Sequence, residues 1–224
     1  MNRKTAKIDS LNLRAKQMKF DSSNYSVEVV KSIGIFNPEL WLQTFGKSLK
    51  RNIVEASILH THLGLDISLK TYSTNKQFTT IEFAGLQRYN EKSNLLQVQF
   101  KELEDQLFNS FISRVDICID YEKRIPPKII KSICKNRQML QYKNTTYFKT
   151  NSEKKQNNTI DIKLYNKAKK EGLDFPLHRL EFCFKGAYFN STKLLHLESI
   201  FPKMEKSIKK FTGLNVKIDP ISNT

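Results

Sequence analysis

The sequence is poor in cysteine and has no long apolar run. Its 224 residues include three cysteines, Cys118, Cys134 and Cys183, and no two of them form a CxxC pair. This small, odd number argues against a disulfide framework and a cysteine zinc site, and it is typical of a reducing compartment. No stretch approaches the roughly 20 apolar residues that span a bilayer, and the basic N-terminus lacks the apolar core of a secretory signal. We therefore expect a cytoplasmic protein that does not bind membranes.

Sequence motifs for ATP hydrolysis and for acyl transfer are also missing. The segment FGKS at residues 45–48 resembles the end of a phosphate-binding loop, but the earlier glycine of that motif would fall at Trp41. Neither a GxSxG motif nor a dinucleotide fingerprint is present. The sequence gives no sign of an ATPase, so any helicase would be a separate partner.

Basic residues greatly outnumber acidic ones. Lysine and arginine number 38 against 22 aspartates and glutamates, which gives a net charge of +16 and a pI near 9.7. Such an excess attracts polyanions, of which nucleic acid is the commonest. The alternative is a basic surface that serves only solubility. Aromatic residues interleaved with cations, as in Tyr142-Lys143 and Tyr147-Phe148-Lys149, either stack on unpaired bases or are ordinary sheet residues.

The hydrophobic pattern predicts an α+β protein with a central, largely antiparallel sheet and helices packed on one of its faces. Residues 1–22 are rich in cations and are expected to form a basic flexible arm, followed by a single domain over residues 23–224. We predict strands at residues 55–63, 66–72, 78–83, 113–121, 145–150, 159–165 and 178–184. Helices are predicted at residues 37–53, 93–111 and 128–139, and in the tail after Ser191 with an interruption at Pro202.

Three of these strands carry polar side chains on one face. Alternate residues of a strand point to the same side of a sheet. If the three strands are neighbours, one face presents six polar side chains together: Asp116, Asp120, Lys163, Tyr165, Arg179 and Glu181. The simpler interpretation is a solvated face, as in many antiparallel sheets.

These residue types support a specific chemistry on phosphate esters. Two or three carboxylates hold Mg²⁺ or Mn²⁺ through oxygen ligands, and such an ion polarises a phosphodiester. Tyr165 is a candidate nucleophile, but a phenol needs a base, a metal or nearby cations to react at neutral pH. Lys163 and Lys167 flank it and would lower its pKa or hold the phosphate. Alternatively, Tyr165 is an aromatic residue that covers the sheet edge.

The same segments resemble a known family. The order SRVDICIDYE, TIDIKLYNKAKKEG and HRLEFCFKG is similar to that in the rolling-circle replication initiators of plasmids, and more distantly to the filamentous-phage nicking protein. The resemblance covers about residues 78–190. It implies a replication-relaxase-like fold and a sequence-specific nickase that acts at a plasmid or phage origin.

The resemblance also implies roles for individual residues. Tyr165 would attack the scissile phosphate and form a 5′-phosphotyrosine bond, releasing a 3′-hydroxyl as primer. Asp116 and Glu181 would hold a divalent metal, Mg²⁺ or Mn²⁺, with Asp120 as a third ligand. The DNA-binding residues would be Lys163, Lys167 and Arg179. The implied partners are duplex and single-stranded origin DNA, a host helicase and a second copy of the chain.

Two features leave alternatives open. The wider relaxase superfamily binds metal through two histidines around one hydrophobic residue, and His60-Thr61-His62 has that spacing with threonine in the middle. These histidines are either a metal site or two surface residues. The chain is also shorter than typical members of the family, so a non-catalytic DNA-binding regulator of replication or copy number is the main alternative to a nickase. A third is an RNA-binding module.

Overall fold

A computed structural model describes residues 3–16, 25–45, 49–87, 89–150 and 159–221. The chain forms two compact units. The first comprises Met1–Asp9, Arg114–Ser191 and His196–Ser222, and the second comprises Ser10–Ser113 and Thr192–Leu195. This division differs from the single domain that was predicted for residues 23–224.

The second unit is an antiparallel sheet with two helices. Its strands are β2 (Tyr25–Ser32), β3 (Ile35–Phe36), β4 (Ile53–Thr61), β5 (Asp66–Tyr72) and β6 (Thr79–Ala84), and its helices are α1 (Pro38–Phe45) and α2 (Glu91–Leu107). The strand order is β3-β2-β4-β5-β6, and β6 pairs with residues Ser10–Ala15 of strand β1 (Lys4–Ala15). Trp41 of α1 packs in a buried cluster with Val30 and Ile58, and Asn90 caps α2 by accepting a hydrogen bond from the Ser93 amide.

The first unit contains the strands on which the polar side chains were predicted. Its elements are β7 (Phe111–Tyr121), α3 (Pro127–Cys134), β8 (Gln138–Tyr142), β9 (Thr145–Lys149), β10 (Ile160–Asn166), α4 (Lys167–Glu171), β11 (His178–Lys185), α5 (Phe201–Thr212) and β12 (Val216–Asp219). The strand order is β1-β7-β11-β10-β9-β8, with β12 parallel to the start of β1. The pairs β7–β11, β11–β10, β10–β9 and β9–β8 are all antiparallel.

The core of the first unit follows the predicted alternation. Six completely buried apolar side chains come from alternate positions of β7 and β11: Val115, Ile117, Ile119, Leu180, Phe182 and Phe184. Ile133 of α3 and Ile208 of α5 are buried as well, and these two helices contact each other. The mainly antiparallel sheets with helices confirm the α+β class, while the packing of helices on one face stays a prediction.

The prediction of a flexible N-terminal arm is wrong for residues Lys4–Ala15, because they form strand β1. The buried positions change from Ala6 and Ile8 to Leu11 and Leu13, so the strand does not keep the period of two by which a half-buried strand is recognised. Two further described residues of the predicted arm, Arg3 and Lys16, do not belong to a strand. The remaining residues of the arm, 1, 2 and 17–22, lie outside the described part of the chain.

A second correction concerns the predicted helix over residues 128–139. Helix α3 ends at Cys134, and Gln138–Tyr142 is strand β8, whose hydrogen-bonded partner is β9. Residues 138–142 are extended because they pair with β9 across the two-residue turn at Lys143 and Asn144. The local sequence pattern does not show that pairing. None of the described helices is long and apolar enough to cross a membrane.

Candidate active site

The register of the sheet brings the six predicted polar residues to one face. Residues directly opposite one another in an antiparallel pair share a face. Tyr165 lies opposite Arg179, and Arg179 lies opposite Asp120. One step further along the strands, Glu181 lies opposite Lys163. The face is thus assembled as the alternation predicted, although much of it is buried.

The Tyr165 hydroxyl contacts the Glu181 carboxylate. The phenolic oxygen donates a hydrogen bond to Oε2 of Glu181 over 2.8 Å, and Lys163 Nζ lies 2.7 Å from Oε1 of the same carboxylate. Tyr165 is only 7% exposed. Burial, and then the negative charge of Glu181, raise the pKa of the Tyr165 phenol well above its usual value. The tyrosine is therefore protonated in this arrangement and has an adjacent proton acceptor.

The two central carboxylates have pKa values displaced in opposite directions. Burial alone would raise the pKa of Glu181, but the Lys163 ammonium and the hydrogen bonds from Lys163 and Tyr165 outweigh it, and the net pKa is lowered. Burial raises the pKa of Asp116, and the charge of Glu181 adds to that effect against the opposing Arg114 guanidinium. Glu181 is thus the carboxylate that stays ionised at neutral pH, and it accepts the hydrogen bond of the Tyr165 hydroxyl.

Arg114 is a residue of this face that the sequence interpretation did not include. Its Nε and Nη2 atoms donate to Oδ1 and Oδ2 of Asp116 over 2.8 and 2.5 Å. Arg114 is two residues from Asp116 on β7, so its place on the same face follows from strand alternation alone.

Arg179 is buried in an ion-pair cluster and does not face solvent. Its exposed fraction is 0%, and it donates to both oxygens of Asp120 over 2.8 and 2.9 Å. An additional ion pair of 2.7 Å joins it to Asp9 of β1. This position argues against direct contact of Arg179 with a DNA phosphate. Asp9 was missed because its strand was interpreted as an arm.

The two predicted DNA-binding lysines also have acidic partners. Lys167 is buried, and its Nζ atom lies 2.9 Å from Glu171 of the same short helix α4. Lys163 is partly exposed beside Glu181. A further cation, Lys170 of α4, lies 5.3 Å from the centre of the Tyr165 ring and is largely exposed. Alternation identified the face of each strand but gave no information about what covers it.

The predicted set of three carboxylates does not converge on one point. Asp116 and Asp120 are four residues apart on β7, about 13 Å along a strand, whereas ligand oxygens lie about 2 Å from a Mg²⁺ ion. Asp120 instead holds Arg179. No group of three or more histidine, cysteine, aspartate or glutamate residues within the described ranges could hold a metal ion. Asp116 and Glu181 are the two predicted ligands that remain neighbours.

The two histidines of the His60-Thr61-His62 segment have separate acidic partners. Nδ1 of His60 lies 2.8 Å from Asp66 and its Nε2 lies 3.2 Å from Glu28. His62 lies 3.5 Å from Glu102. Hydrogen bonds to Asp66 and Glu28 raise the pKa of His60, which favours its protonated form, and a protonated imidazole does not bind metal.

Comparison with known proteins gives a distant structural likeness. No protein-family model matches the chain, and no curated protein matches it. Among solved structures, the chain is similar to the rolling circle replication initiator protein from Geobacillus stearothermophilus, with a TM-score of 0.48 and 14% sequence identity. The alignment covers 93% of this chain and 85% of that one. A likeness at this level does not assign an activity to the present chain.

Proposed function

We propose that this protein is a DNA nickase and strand transferase that initiates rolling-circle replication of a plasmid or phage, with Tyr165 as its nucleophile. One observation carries the proposal: the Tyr165 hydroxyl donates a 2.8 Å hydrogen bond to Glu181. A nucleophile and a base within hydrogen-bond distance are the minimum arrangement for covalent catalysis. The high positive charge and the motif order of the strands support DNA as the substrate.

The proposed reaction transfers one phosphoryl group and one proton. The Tyr165 oxygen forms a bond to the scissile phosphorus as Glu181 takes up the phenolic proton. The bond from phosphorus to the 3′ oxygen breaks, and that oxygen takes up a proton to become a free 3′-hydroxyl. The products are a 5′-phosphotyrosine bond and a primer end. Lys163 keeps the Glu181 carboxylate ionised before the transfer.

The tyrosine must become accessible for this step. Lys170 is the exposed cation beside its ring, and a phosphate that attracts the Lys170 ammonium would uncover one side of the phenol. The same phosphate would be held by this cation next to the nucleophile. Lys170 therefore replaces Arg179 in the proposed set of DNA-contacting residues.

A divalent metal remains part of the proposal, limited to two protein ligands. Asp116 and Glu181 are oxygen donors of the kind that Mg²⁺ and Mn²⁺ prefer. They would hold the ion, which would neutralise charge that develops on the phosphodiester. The Asp116 oxygens pair with Arg114 in this structure, so Arg114 would have to move aside, whereas Lys163 would share the Glu181 carboxylate with the ion.

The alternative is a non-catalytic DNA-binding regulator of replication. Two observations favour it: Tyr165 is 7% exposed, and Arg179 is completely buried between Asp9 and Asp120. A face whose carboxylates each pair with a cation is also what a purely structural ion-pair network would show.

The two candidates are separated by nicking of a supercoiled plasmid that carries the origin, with Mg²⁺ or Mn²⁺ present. The nickase predicts open-circular product from the native chain and none from Tyr165→Phe, while the two proteins bind duplex DNA equally. Tyr121→Phe is the matched control, because Tyr121 is in the same unit and its buried hydroxyl has no hydrogen-bond partner within the described residues. That variant should nick normally. No nicking by the native chain would favour the regulator.

A further inference from the structure

We propose that the hairpin formed by β8 and β9 is a stacking surface for the unpaired bases of a single DNA strand passing Tyr165. The choice of DNA as partner rests on the proposed function. The surface itself rests on three independent observations about the hairpin: its exposed side chains, its register with Tyr165 and its cations.

Strand β8 exposes large side chains at the edge of the sheet. All five of its residues are exposed, and β8 is the last strand in the order of the first unit. Tyr142 is 64% exposed and Leu140 is 45% exposed. Large apolar side chains that cluster on a surface mark an interaction site more often than an isolated one does.

The register places these side chains on the same face as the candidate active site. Tyr142 lies opposite Thr145, which lies opposite Tyr165. In the next row, Leu140 lies opposite Tyr147, which lies opposite Lys163. Two strand spacings, about 10 Å, separate Tyr142 from Tyr165. A single DNA strand that lies across these β-strands would therefore contact both the hairpin and the candidate nucleophile.

Cations accompany both aromatic residues of the hairpin. Lys143 Nζ lies 5.7 Å from the centre of the Tyr142 ring, and Lys149 Nζ lies 5.3 Å from that of Tyr147. Aromatic rings beside cations are the combination by which proteins bind single strands, since the rings stack on bases and the cations pair with phosphates. A duplex hides its base faces, so this combination favours an unpaired strand. The positive charge also disfavours a second copy of this chain as the occupant.

The test measures binding to a short single-stranded DNA that carries one 2-aminopurine, without any cleavage step. The double variant Tyr142→Leu plus Tyr147→Leu keeps apolar side chains but removes the rings. We expect its affinity to fall by about tenfold for each ring lost and the quenching of 2-aminopurine to disappear. The salt dependence of binding should stay unchanged, because no phosphate contact is removed.

The matched control is Phe36→Leu, an exposed aromatic residue of β3 in the second unit, which should leave affinity and quenching unchanged. Lys143→Gln should change the salt dependence and leave the stacking intact. The slope of log affinity against log salt concentration should fall by about one, and 2-aminopurine should still be quenched. Thermal unfolding of each variant establishes that the fold is intact.

Several results would overturn the proposal. These are an affinity of the double variant within twofold of the native value, no quenching by the native protein, or tighter binding of the matching RNA or duplex DNA. A concentration-dependent dimer that the double variant abolishes would assign the surface to a second copy instead. If the protein binds the strand as described but never nicks a plasmid, the proposed function fails while this surface stands.

Discussion

Tyr165 and Glu181 lie diagonally across the antiparallel pair of β10 and β11, with the phenolic oxygen 2.8 Å from the carboxylate. Their direct cross-strand partners are Arg179 and Lys163. The phenol therefore lies between one buried cation and one buried anion. This relationship makes Glu181 the hydrogen-bond acceptor of the Tyr165 hydroxyl, and it also couples the stability of the sheet to the charge of Glu181.

The first prediction concerns the pH dependence of stability through Glu181. Its pKa is lowered in the fold from the ordinary value of 4.5. Its stabilising contribution is therefore present above pH 4.5 and is lost as the pH falls through the lowered value. Glu181→Gln should lower the free energy of unfolding by about 1–3 kcal/mol at pH 7. In urea unfolding, that deficit should shrink progressively as the pH is lowered below 4.5; a deficit independent of pH would contradict the assignment.

The contribution of Asp116 to stability should depend on pH in the opposite direction to that of Glu181. Its pKa is raised from the ordinary value of 3.8, so its contribution is fully present below pH 3.8 and is lost as the pH rises through the raised value. The native chain should lose stability relative to Asp116→Asn across that interval. The same urea series measures this difference, and parallel curves for the two proteins would refute the raised pKa.

Arg179 should be essential for the stability of the first unit. Replacing it by methionine keeps most of the volume but leaves Asp9 and Asp120 without their buried cation. Removal of one partner from a buried ion pair costs about 3–5 kcal/mol. Urea unfolding should show a loss of that size. Arg114→Met serves as the comparison: its guanidinium is partly exposed, so its loss should be clearly smaller, and equal losses would count against the buried cluster.

Lys163 should set the acidic limit of nicking. Its ammonium lowers the pKa of Glu181, so Lys163→Met should raise that pKa and move the acidic limb of the nicking rate to higher pH. Single-turnover rates measured against pH give this limb directly. A uniform loss of rate at every pH, with the limb unmoved, would indicate that Lys163 only binds DNA.

His60 should titrate above the usual histidine value of 6.5. Its hydrogen bonds with Asp66 and Glu28 favour the imidazolium, and NMR titration of the ring protons gives the pKa. Asp66→Asn should bring it back toward the ordinary value. Chemical shifts of His60 that change on addition of stoichiometric Zn²⁺ at neutral pH would instead support the histidine metal site.

The sequence predicted much of the first unit because its strands keep a regular alternation. The predicted strand at residues 113–121 corresponds to Phe111–Tyr121, and that at residues 178–184 to His178–Lys185. Cross-strand neighbours in such strands follow from alternation once the pairing is known. The shared face of Tyr165 and Glu181 could therefore be inferred without coordinates.

The remaining features depend on contacts between distant parts of the chain. Strand β1 changes its buried face between Ile8 and Asp9, so no periodic signal identified it. The burial of Arg179 depends partly on Asp9 of that strand, and for the same reason no sequence pattern indicated that burial. Strand β8 has no buried residue and is held by its pairing with β9, which a local pattern cannot show.

The most direct test of the central claim is to trap the covalent intermediate. The native chain is incubated with a single-stranded origin oligonucleotide, digested with protease and analysed by mass spectrometry. We expect a 5′-phosphate adduct on the peptide that contains Tyr165, absent from Tyr165→Phe and present in Tyr121→Phe. An adduct on any other residue, or nicking without an adduct, would contradict the assignment of Tyr165 as the nucleophile.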